Sequence, residues 1–391
     1  MKVLNRQDLQ DEQDYGSGFI REIQSNDFEV VMKILCVVGA RPNFMKIAPI
    51  IDELKSRNID YVLVHTGQHY DEKMSQFFFV DLGMPKPHVD LGVGSGSHAK
   101  QTGEVLMRIE PIMEQEQPDV VVVVGDVNST LAATLAAAKL GIPVAHVEAG
   151  LRSFDRSMPE EINRLMTDSV ADYLFTTEEL AGEHLRREGI DDEKIFFVGN
   201  TMIDSLFKHV KRADESKILD QLGVAPKKYG VVTLHRPSNV DQPESLRGIL
   251  EALSTIARDL PLVFPIHPRT RKRISEFGLD SLLEQGFILS EPLGYLDFLR
   301  LNKDARLVLT DSGGIQEETT VLGVPCITLR YNTERPITVT AGTNQLVGAD
   351  KQQILAAALK VLSGEAEKKQ IPPLWDGQAA KRIVDVLQQT L

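Results

Sequence analysis

Short apolar runs alternate with amphipathic segments along the chain from Met32 to the C-terminus. The runs predict a first series of strands at residues 34–38, 61–65, 120–124, 144–147 and 173–176. They predict a second series at residues 195–198, 230–234, 262–266, 307–310 and 326–329. Continuous Val, Ile and Leu runs are typical of strands buried on both faces, as in parallel sheets covered by helices. The pattern therefore predicts an α/β fold with two Rossmann-like, doubly wound parallel-sheet domains.

The same pattern predicts the domain limits. We expect a first domain at residues 32–199, joined by a C-terminal helix at residues 372–391, and a second domain at residues 200–371. Residues 1–31 are polar and acidic without sustained periodicity, and an apolar strand begins abruptly after Met32. We interpret residues 1–31 as an extension in front of the folded protein and expect it to be poorly ordered.

Composition narrows the classes of function. The net charge of −13 argues against a nucleic-acid-binding protein, because the chain lacks a bulk positive field. The longest apolar runs are far too short to cross a bilayer and no signal peptide is recognisable, so membrane insertion is not expected and a cytoplasmic location is. Cys36 and Cys326 each lie inside an apolar run, which favours core residues over a disulfide or a metal site.

A strand–turn–helix segment near residue 312 carries the strongest sign of ligand binding. The strand is followed by a predicted turn at Ser312, Gly313 and Gly314, and a helix is expected to open at Ile315. Glycines let a ligand approach the backbone, and the N-terminus of a helix binds phosphate. Glu318, one turn into that helix, can accept both hydroxyls of a ribose. The segment therefore indicates a nucleotide diphosphate, with an ordinary strand–turn–helix joint as the alternative.

Three carboxylates lie where strands of the first series end. Asp126 follows the strand at 120–124, Glu148 ends the strand at 144–147, and Glu160 follows a proline that suits the first turn of a helix. Taken singly, each is more simply structural, and Asp126 in particular is placed to cap the next helix. Together they predict an acidic pocket that abstracts protons and stabilises a developing positive charge.

Candidate cations follow strands in both series. Arg41 and Lys46 come after the first strand, and His235 with Arg236 comes after the strand at 230–234. Because ligands bind beyond the carboxyl ends of parallel strands, these side chains are placed to meet an anion. A surface arginine, a solvated lysine and a capping histidine are the ordinary alternatives. A similar triplet, His267-Pro268-Arg269, follows the strand at 262–266 and is given less weight.

Seven motifs in this order resemble the non-hydrolysing UDP-N-acetylglucosamine 2-epimerases: GARPNFMKIAPI, TGQHYDEKM, GDVNSTLAA, HVEAGLRSFDRSMPEEINR, VTLHRPSN, LTDSGGIQEE and NTERPITVTAGTN. The resemblance runs from Met32 to the C-terminal helix. It implies the glycosyltransferase-B architecture, with the active site in the cleft between two Rossmann-like domains.

The resemblance also implies roles for individual residues. Ser312, Gly313 and Gly314 would hold UDP, with Glu318 on the ribose and Phe298 near the uracil. Four further residues would surround the diphosphate or the sugar, namely Arg41, Lys46, His235 and Arg335. The implied catalytic residues are Asp126, Glu148 and Glu160, together with His235.

The implied reaction is reversible epimerisation at C2. UDP leaves C1 as the C2 proton is lost, 2-acetamidoglucal forms in the site, and UDP adds back after protonation on the opposite face. No cofactor or metal is expected, a UDP-sugar is the expected partner, and we expect a homodimer. The product would supply a precursor for cell-surface polysaccharide.

One motif departs from the family, and several rivals stay open. Substrate-regulated members carry Gln-His-Arg where this chain has Gln68, His69 and Tyr70, so a regulatory site is in question. The same motif is similar to relatives acting on UDP-2,3-diacetamido uronic acids. A hydrolysing epimerase and a glycosyltransferase of the same fold are further alternatives. A nucleotide-sugar sensor is disfavoured, because three carboxylates near a sugar would only cost desolvation energy.

Overall fold

The carboxyl ends of two parallel sheets carry the residues of interest, as described by a computed structural model of residues 32–67, 83–365 and 370–391. For Arg41 and Pro42 only the backbone is described. The expectations for residues 1–31 and for the motif at residues 68–70 therefore lie outside the described residues. None of the described helices combines the length and apolar character that crossing a membrane requires.

The first sheet has seven described parallel strands in the order β3-β2-β1-β4-β5-β6-β7. They are β1 Lys33–Val38, β2 Asp60–His65, β3 Val89–Asp90, β4 Val120–Val124, β5 Val144–Val147, β6 Tyr173–Thr176 and β7 Ile195–Phe197. The helices of this region are α1 Arg41–Ser56, α2 His98–Glu116, α3 Asn128–Lys139, α4 Pro159–Val170 and α5 Glu179–Arg187. The sequence pattern assigned the strand at 195–198 to the second series, which was wrong, because β7 pairs in parallel with β6.

The second sheet has six described parallel strands in the order β10-β9-β8-β11-β12-β13. They are β8 Gly230–Thr233, β9 Leu262–Pro265, β10 Phe287–Ser290, β11 Leu307–Thr310, β12 Cys326–Thr328 and β13 Asn344–Leu346. The predicted fold class, two doubly wound parallel sheets, is confirmed. The pattern missed β3, β10 and β13, which all lie at sheet edges. An edge strand is covered on fewer sides, so it lacks the continuous apolar run that marks a central strand.

The remaining described helices surround the second sheet or join it to the first. They are α6 Thr201–Ala213, α7 Ile218–Leu222, α8 Pro237–Val240, α9 Pro243–Ile256, α10 Pro268–Glu276, α11 Tyr295–Lys303, α12 Gly313–Leu322, α13 Ile337–Thr340, α14 Lys351–Ser363 and α15 Ala379–Thr390. Short 3₁₀ turns occur at Asp192–Lys194 and Asp280–Leu283.

Helix α6 is the structural link between the two sheets. It packs against α1 and α15 on one side and against α11 and α12 on the other. The Asp204 carboxylate of α6 accepts the backbone N–H of Ala380 at 2.7 Å, which ties the start of α15 to this link. The indole of the buried Trp375 donates to the carbonyl of Thr177, just beyond β6, at 2.9 Å. Residues 32–391, which include both sheets, form one compact unit. The proposed limits of the two domains stay a prediction.

Candidate active site

The carboxylates expected to act in the chemistry lie along the edge of the first sheet that is formed by the carboxyl ends of its strands. Strands β1, β4, β5 and β6 are parallel neighbours, so the residues that follow them meet at that edge. Asp126 follows β4, Glu148 follows β5, and Glu160 lies in the first turn of α4. Lys46 reaches the same edge from the second turn of α1, where it pairs with Glu148. The side chain of Arg41 lies outside the described part of the structure.

Glu148 is buried and its backbone is strained. Its φ of 73° lies in the left-handed region, which costs a non-glycine residue about 1–3 kcal/mol. Oε2 forms a buried ion pair with Lys46, and Oε1 has no hydrogen bond within the described residues. Gly125 leaves room for this pair, because a Cβ there would lie 2.9 Å from Nζ of Lys46. Backbone strain combined with an unsatisfied carboxylate oxygen is typical of a functional site.

Asp126 is held by an arginine and does not cap the following helix. Val127 occupies the N-cap position of α3, and the Asp126 carboxylate pairs with Arg164 of α4. Capping was therefore the wrong interpretation. Burial raises the pKa of Asp126, but Arg164, Lys46 and Arg335 outweigh it and hold this pKa below its ordinary value. An ionised Asp126 suits a base or a stabiliser of developing positive charge.

The adjacent Glu160 and Glu161 have different environments. Glu161 is buried and accepts hydrogen bonds from two backbone N–H groups of the preceding loop and from Arg164. Glu160 is only partly buried, and its charge favours the ionised form of Arg236, which lies just beyond β8 of the second sheet. The charge of Glu160 is therefore felt at the second sheet, whereas Glu161 supports its own loop.

The glycine-rich segment begins its helix earlier than predicted. Helix α12 begins at Gly313 with Ser312 at the N-cap, so the expected start at Ile315 was two residues late. A glycine pair is typical of a turn, but the first turn of a helix tolerates it as well. The backbone N–H groups of that turn have no partner inside the helix. Ser312 and Gly314 are only partly buried, which leaves the turn open to an anion.

Arg335 occupies the space that Gly313 leaves open. A Cβ at Gly313 would lie 2.7 Å from Nη1 of Arg335. Nε lies 2.8 Å from Oε1 of Glu317, and Nη2 lies 3.7 Å from Oε1 of Glu148. Burial disfavours the charged guanidinium, but Glu317 and Glu148 outweigh burial and raise the pKa of Arg335. Arg335 thus connects the N-terminus of α12 with the acidic edge of the first sheet.

His235 stands beside the same helix N-terminus. Its Nδ1 lies 2.8 Å from Oδ1 of Asp311, the residue that precedes Ser312. Asp311 is fully buried and also accepts the backbone N–H groups of His235 and Arg236. Burial raises the pKa of Asp311, but these hydrogen bonds and the imidazole outweigh it and hold the pKa below its ordinary value. The second sheet therefore presents an imidazole backed by an ionised carboxylate.

Phe298 and Glu318 lie on adjoining helices of the second sheet. Phe298, on α11, is partly buried in an apolar cluster that includes Ile315 of α12. Glu318 is buried, and it hydrogen-bonds the hydroxyl of Tyr295. Burial, together with the Glu318 carboxylate, raises the pKa of Tyr295 well above its ordinary value. The structure therefore places Glu318 on α12 and Phe298 beside it, with Tyr295 as a neighbour that the sequence did not suggest.

Sequence reasoning missed the buried carboxylates that hold the cations of the second sheet, namely Asp311, Glu317 and Glu334, and it missed the buried Glu178 of the first sheet. Each lies next to a residue or strand end that the sequence did single out. Burial and the Glu317 carboxylate raise the pKa of Glu178 to about 7, although Arg335 acts in the opposite direction. No cluster of three metal-ligating side chains occurs among the described residues.

Three comparisons agree on the family. The sequence model of the UDP-N-acetylglucosamine 2-epimerase family matches residues 52–388. The chain is 47% identical to the UDP-N-acetylglucosamine 2-epimerase of Methanocaldococcus jannaschii, covering 91% of this chain and 99% of that protein. It is 43% identical to the UDP-2,3-diacetamido-2,3-dideoxy-D-glucuronate 2-epimerase of Pseudomonas aeruginosa, again covering 91% and 99%.

The structural comparison gives the same result. A crystal structure of the M. jannaschii UDP-GlcNAc 2-epimerase in complex with UDP-GlcNAc and UDP matches with a TM-score of 0.85 and 47% identity, covering 92% of this chain and 100% of that chain. Sequence, family model and fold thus confirm the resemblance carried by the seven motifs: this chain belongs to the UDP-N-acetylglucosamine 2-epimerase family.

Proposed function

We propose that this protein is a non-hydrolysing epimerase that interconverts UDP-N-acetylglucosamine and UDP-N-acetylmannosamine. The observation that carries the proposal is the position of Glu148. It is strained, buried and paired with Lys46, and its second oxygen lies 3.7 Å from the guanidinium of Arg335 at the phosphate-binding turn. A proton-transfer group and a group that holds a leaving diphosphate are thus neighbours. The relatives named above support the choice of a UDP-sugar.

Elimination of UDP followed by its re-addition fits the groups at the carboxyl ends of the two sheets. The bond between C1 and the UDP oxygen breaks, its electrons leave with UDP, and the C2 proton passes to a carboxylate, which gives 2-acetamidoglucal. A proton then returns to C2 from the other face and UDP adds back to C1. Asp126, Glu148 and Glu160 are the proposed groups for proton transfer and for stabilising positive charge at C1. His235, Arg335 and the first turn of α12 are the proposed groups that retain UDP.

One incubation tests this reaction against its rivals. UDP-N-acetylglucosamine is added to the protein in deuterated water, and the sugar is followed by proton NMR. The proposal expects deuterium at C2 with UDP still attached. Release of free N-acetylmannosamine would indicate a hydrolysing epimerase. No exchange at C2, combined with sugar transfer to an added acceptor, would indicate a glycosyltransferase instead.

The diacetamido uronic acid nucleotide is a second candidate substrate, favoured by the 43% identity to the P. aeruginosa epimerase. The same C2 chemistry serves both sugars. Parallel incubations with the two UDP-sugars at equal concentration, compared by kcat/KM, decide between them.

Two broader features belong to the proposal and follow from the resemblance alone. We expect a homodimer, which light scattering of the purified protein tests directly. We also expect the product to enter cell-surface polysaccharide synthesis. Deletion of the gene, followed by analysis of the surface sugars, tests that expectation.

A further inference from the structure

His235 and Asp311 form a pair at the ends of two adjacent strands. Strands β8 and β11 are parallel neighbours with Thr233 opposite Thr310, so the residues beyond them lie side by side. Nδ1 of His235 lies 2.8 Å from Oδ1 of Asp311. The carboxylate is fully buried, whereas the imidazole side chain is 49% exposed. The ring therefore has one edge against a buried acceptor and the opposite edge toward solvent.

An ionised carboxylate only accepts hydrogen bonds, so the ring nitrogen that faces it must carry a proton. In a neutral imidazole this leaves the other nitrogen, Nε2, as the acceptor; in an imidazolium Nε2 is a donor. Asp311 is followed directly by Ser312, the N-cap of α12, so Nε2 lies near the turn where the diphosphate is expected. The other charged or titratable groups close to His235 are His267 after β9 and its own neighbour Arg236.

Building on the proposed function, we propose that Asp311 is a positioning residue for His235: it keeps one proton on Nδ1 and fixes the ring, so that Nε2, when protonated in the imidazolium, donates to the UDP diphosphate. Asp311 itself contacts no substrate in this scheme. The arrangement parallels the way a buried carboxylate orients a catalytic or metal-binding histidine through the opposite ring nitrogen.

A simpler role for Asp311 must be separated from this one. Its carboxylate also accepts the backbone N–H groups of His235 and Arg236 at 3.0 Å and 2.9 Å, and the side-chain amide of Asn239 at 3.2 Å. It could therefore serve only to hold the loop after β8. That role would not depend on whether an imidazole is present at position 235.

A double-mutant cycle distinguishes a role of Asp311 in positioning His235 from a role in holding the loop after β8. Turnover and KM are measured for the parent, Asp311→Asn, His235→Ala and the double variant. Asp311→Asn keeps an acceptor oxygen but loses the charge, and we expect kcat to fall about 10- to 100-fold, the range for losing a carboxylate that orients a ligand histidine. In the His235→Ala background the same change should cost less than about twofold, because the residue it positions is gone. An equal loss in both backgrounds would overturn the proposal.

Another His–Asp pair, at the edge of the first sheet, provides a matched control. Nδ1 of His65 lies 3.3 Å from Oδ2 of Asp90, whose side chain is half-exposed at the end of β3. Asp90→Asn removes the same kind of charge from a histidine partner that has no proposed part in the reaction. We expect parental turnover. A loss as large as that of Asp311→Asn would mean that the effect is not specific to His235.

A spectroscopic measurement tests the pair even if Asp311→Asn fails to fold or no substrate turns over. Nitrogen-15 NMR of the parent protein, at a pH where the His235 ring is neutral, should show the proton on Nδ1. A ring protonated on Nε2 would refute the proposal. If the tautomer is as expected but no UDP-sugar is epimerised, the proposed function has failed while the structural pairing stands.

Discussion

The candidate site residues lie along one edge of each sheet, which is formed by the carboxyl ends of its strands. The two edges differ in how they hold their charges. At the first sheet, two of the proposed catalytic carboxylates are paired with cations of the same sheet: Glu148 with Lys46, and Asp126 with Arg164. At the second sheet the roles are exchanged: the cations and N–H groups around α12 are expected to meet the ligand, and buried carboxylates hold them in place. This difference supports the proposed division of work, in which the first edge moves protons and the second retains UDP.

Paired charges keep each edge organised before substrate arrives. Burial alone raises the pKa of a carboxylate, whereas their partners hold the pKa values of Asp126 and Asp311 below the ordinary value and fix these groups in geometry. A fixed, ionised site contributes most to the rate when charge develops in the transition state. Arg335 reaches from the second sheet to the first, with Nη2 3.7 Å from Oε1 of Glu148.

The largest expected effect comes from Glu148→Gln at the first edge. The amide keeps the shape but removes the charge and the proton transfer, so turnover should fall by about 100-fold or more. UDP affinity, measured by calorimetry, should stay near the parental value. Asp52→Asn, in the exposed ion pair with Lys208, is the control and should turn over as the parent does. Normal turnover of Glu148→Gln would break the proposed division of work.

The next effect concerns the second edge and compares two adjacent glycines. A methyl group at Gly313 would meet Nη1 of Arg335 at 2.7 Å, whereas one at Gly314 would meet only Cε of Met202 at 3.6 Å, an ordinary contact. Gly313→Ala should therefore displace the guanidinium and weaken UDP binding about tenfold, or 1.4 kcal/mol. Gly314→Ala should lose clearly less. Equal affinities in calorimetry would show that Arg335 does not depend on the missing side chain.

A smaller effect is expected at Glu178, where the two edges meet. It follows β6 of the first sheet, accepts the Ile337 N–H of the second, and has a pKa of about 7, raised by burial and by Glu317. The folded protein thus binds a proton at pH values where the unfolded chain, with an ordinary pKa, has lost it. Stability should fall as the pH rises from about 4.5 to 7 and stay low above that range.

Glu178→Gln removes this dependence. The variant should be more stable than the parent at pH 8, by about 1–3 kcal/mol, and the difference should shrink as the pH falls toward 5. Denaturant unfolding at pH 5, 6, 7 and 8 gives the measurement. Glu179→Gln, at the exposed neighbouring position, controls for removing a charge at this helix terminus. A variant that is less stable than the parent at pH 8 would contradict the burial of an ionisable Glu178.

The smallest effect is expected for residues 1–31, which are assigned a role at neither sheet. A chain that begins at Met32 should melt at the parental temperature and keep its turnover, because the segment has no sustained apolar face. Thermal unfolding and the deuterium-exchange assay provide the two readouts. A drop in either would show that the segment contributes to the folded enzyme.

Much of the fold could be predicted because buried strands leave a strong apolar signal. Strands β4, β5, β6 and β11 occur at the predicted residues, and the fold class is confirmed. Three edge strands were missed, and β7 was grouped with the second series of strands, although it pairs in the first sheet. Apolar periodicity reports whether a segment is buried; it does not report which strand lies beside it, because pairing depends on the path of the chain.

The sequence by itself determined the family, the two-sheet architecture and the residues at strand ends, since motifs and apolar runs are local. Only the tertiary structure separated the environments of Glu160 and Glu161 and placed Arg335 in the space over Gly313. It also revealed the carboxylate behind His235. These relations join side chains from different segments of the chain, and ionic contacts of this kind leave no periodic trace in the order of residues. They exist because folding brings strand ends together and because buried charges must find partners there.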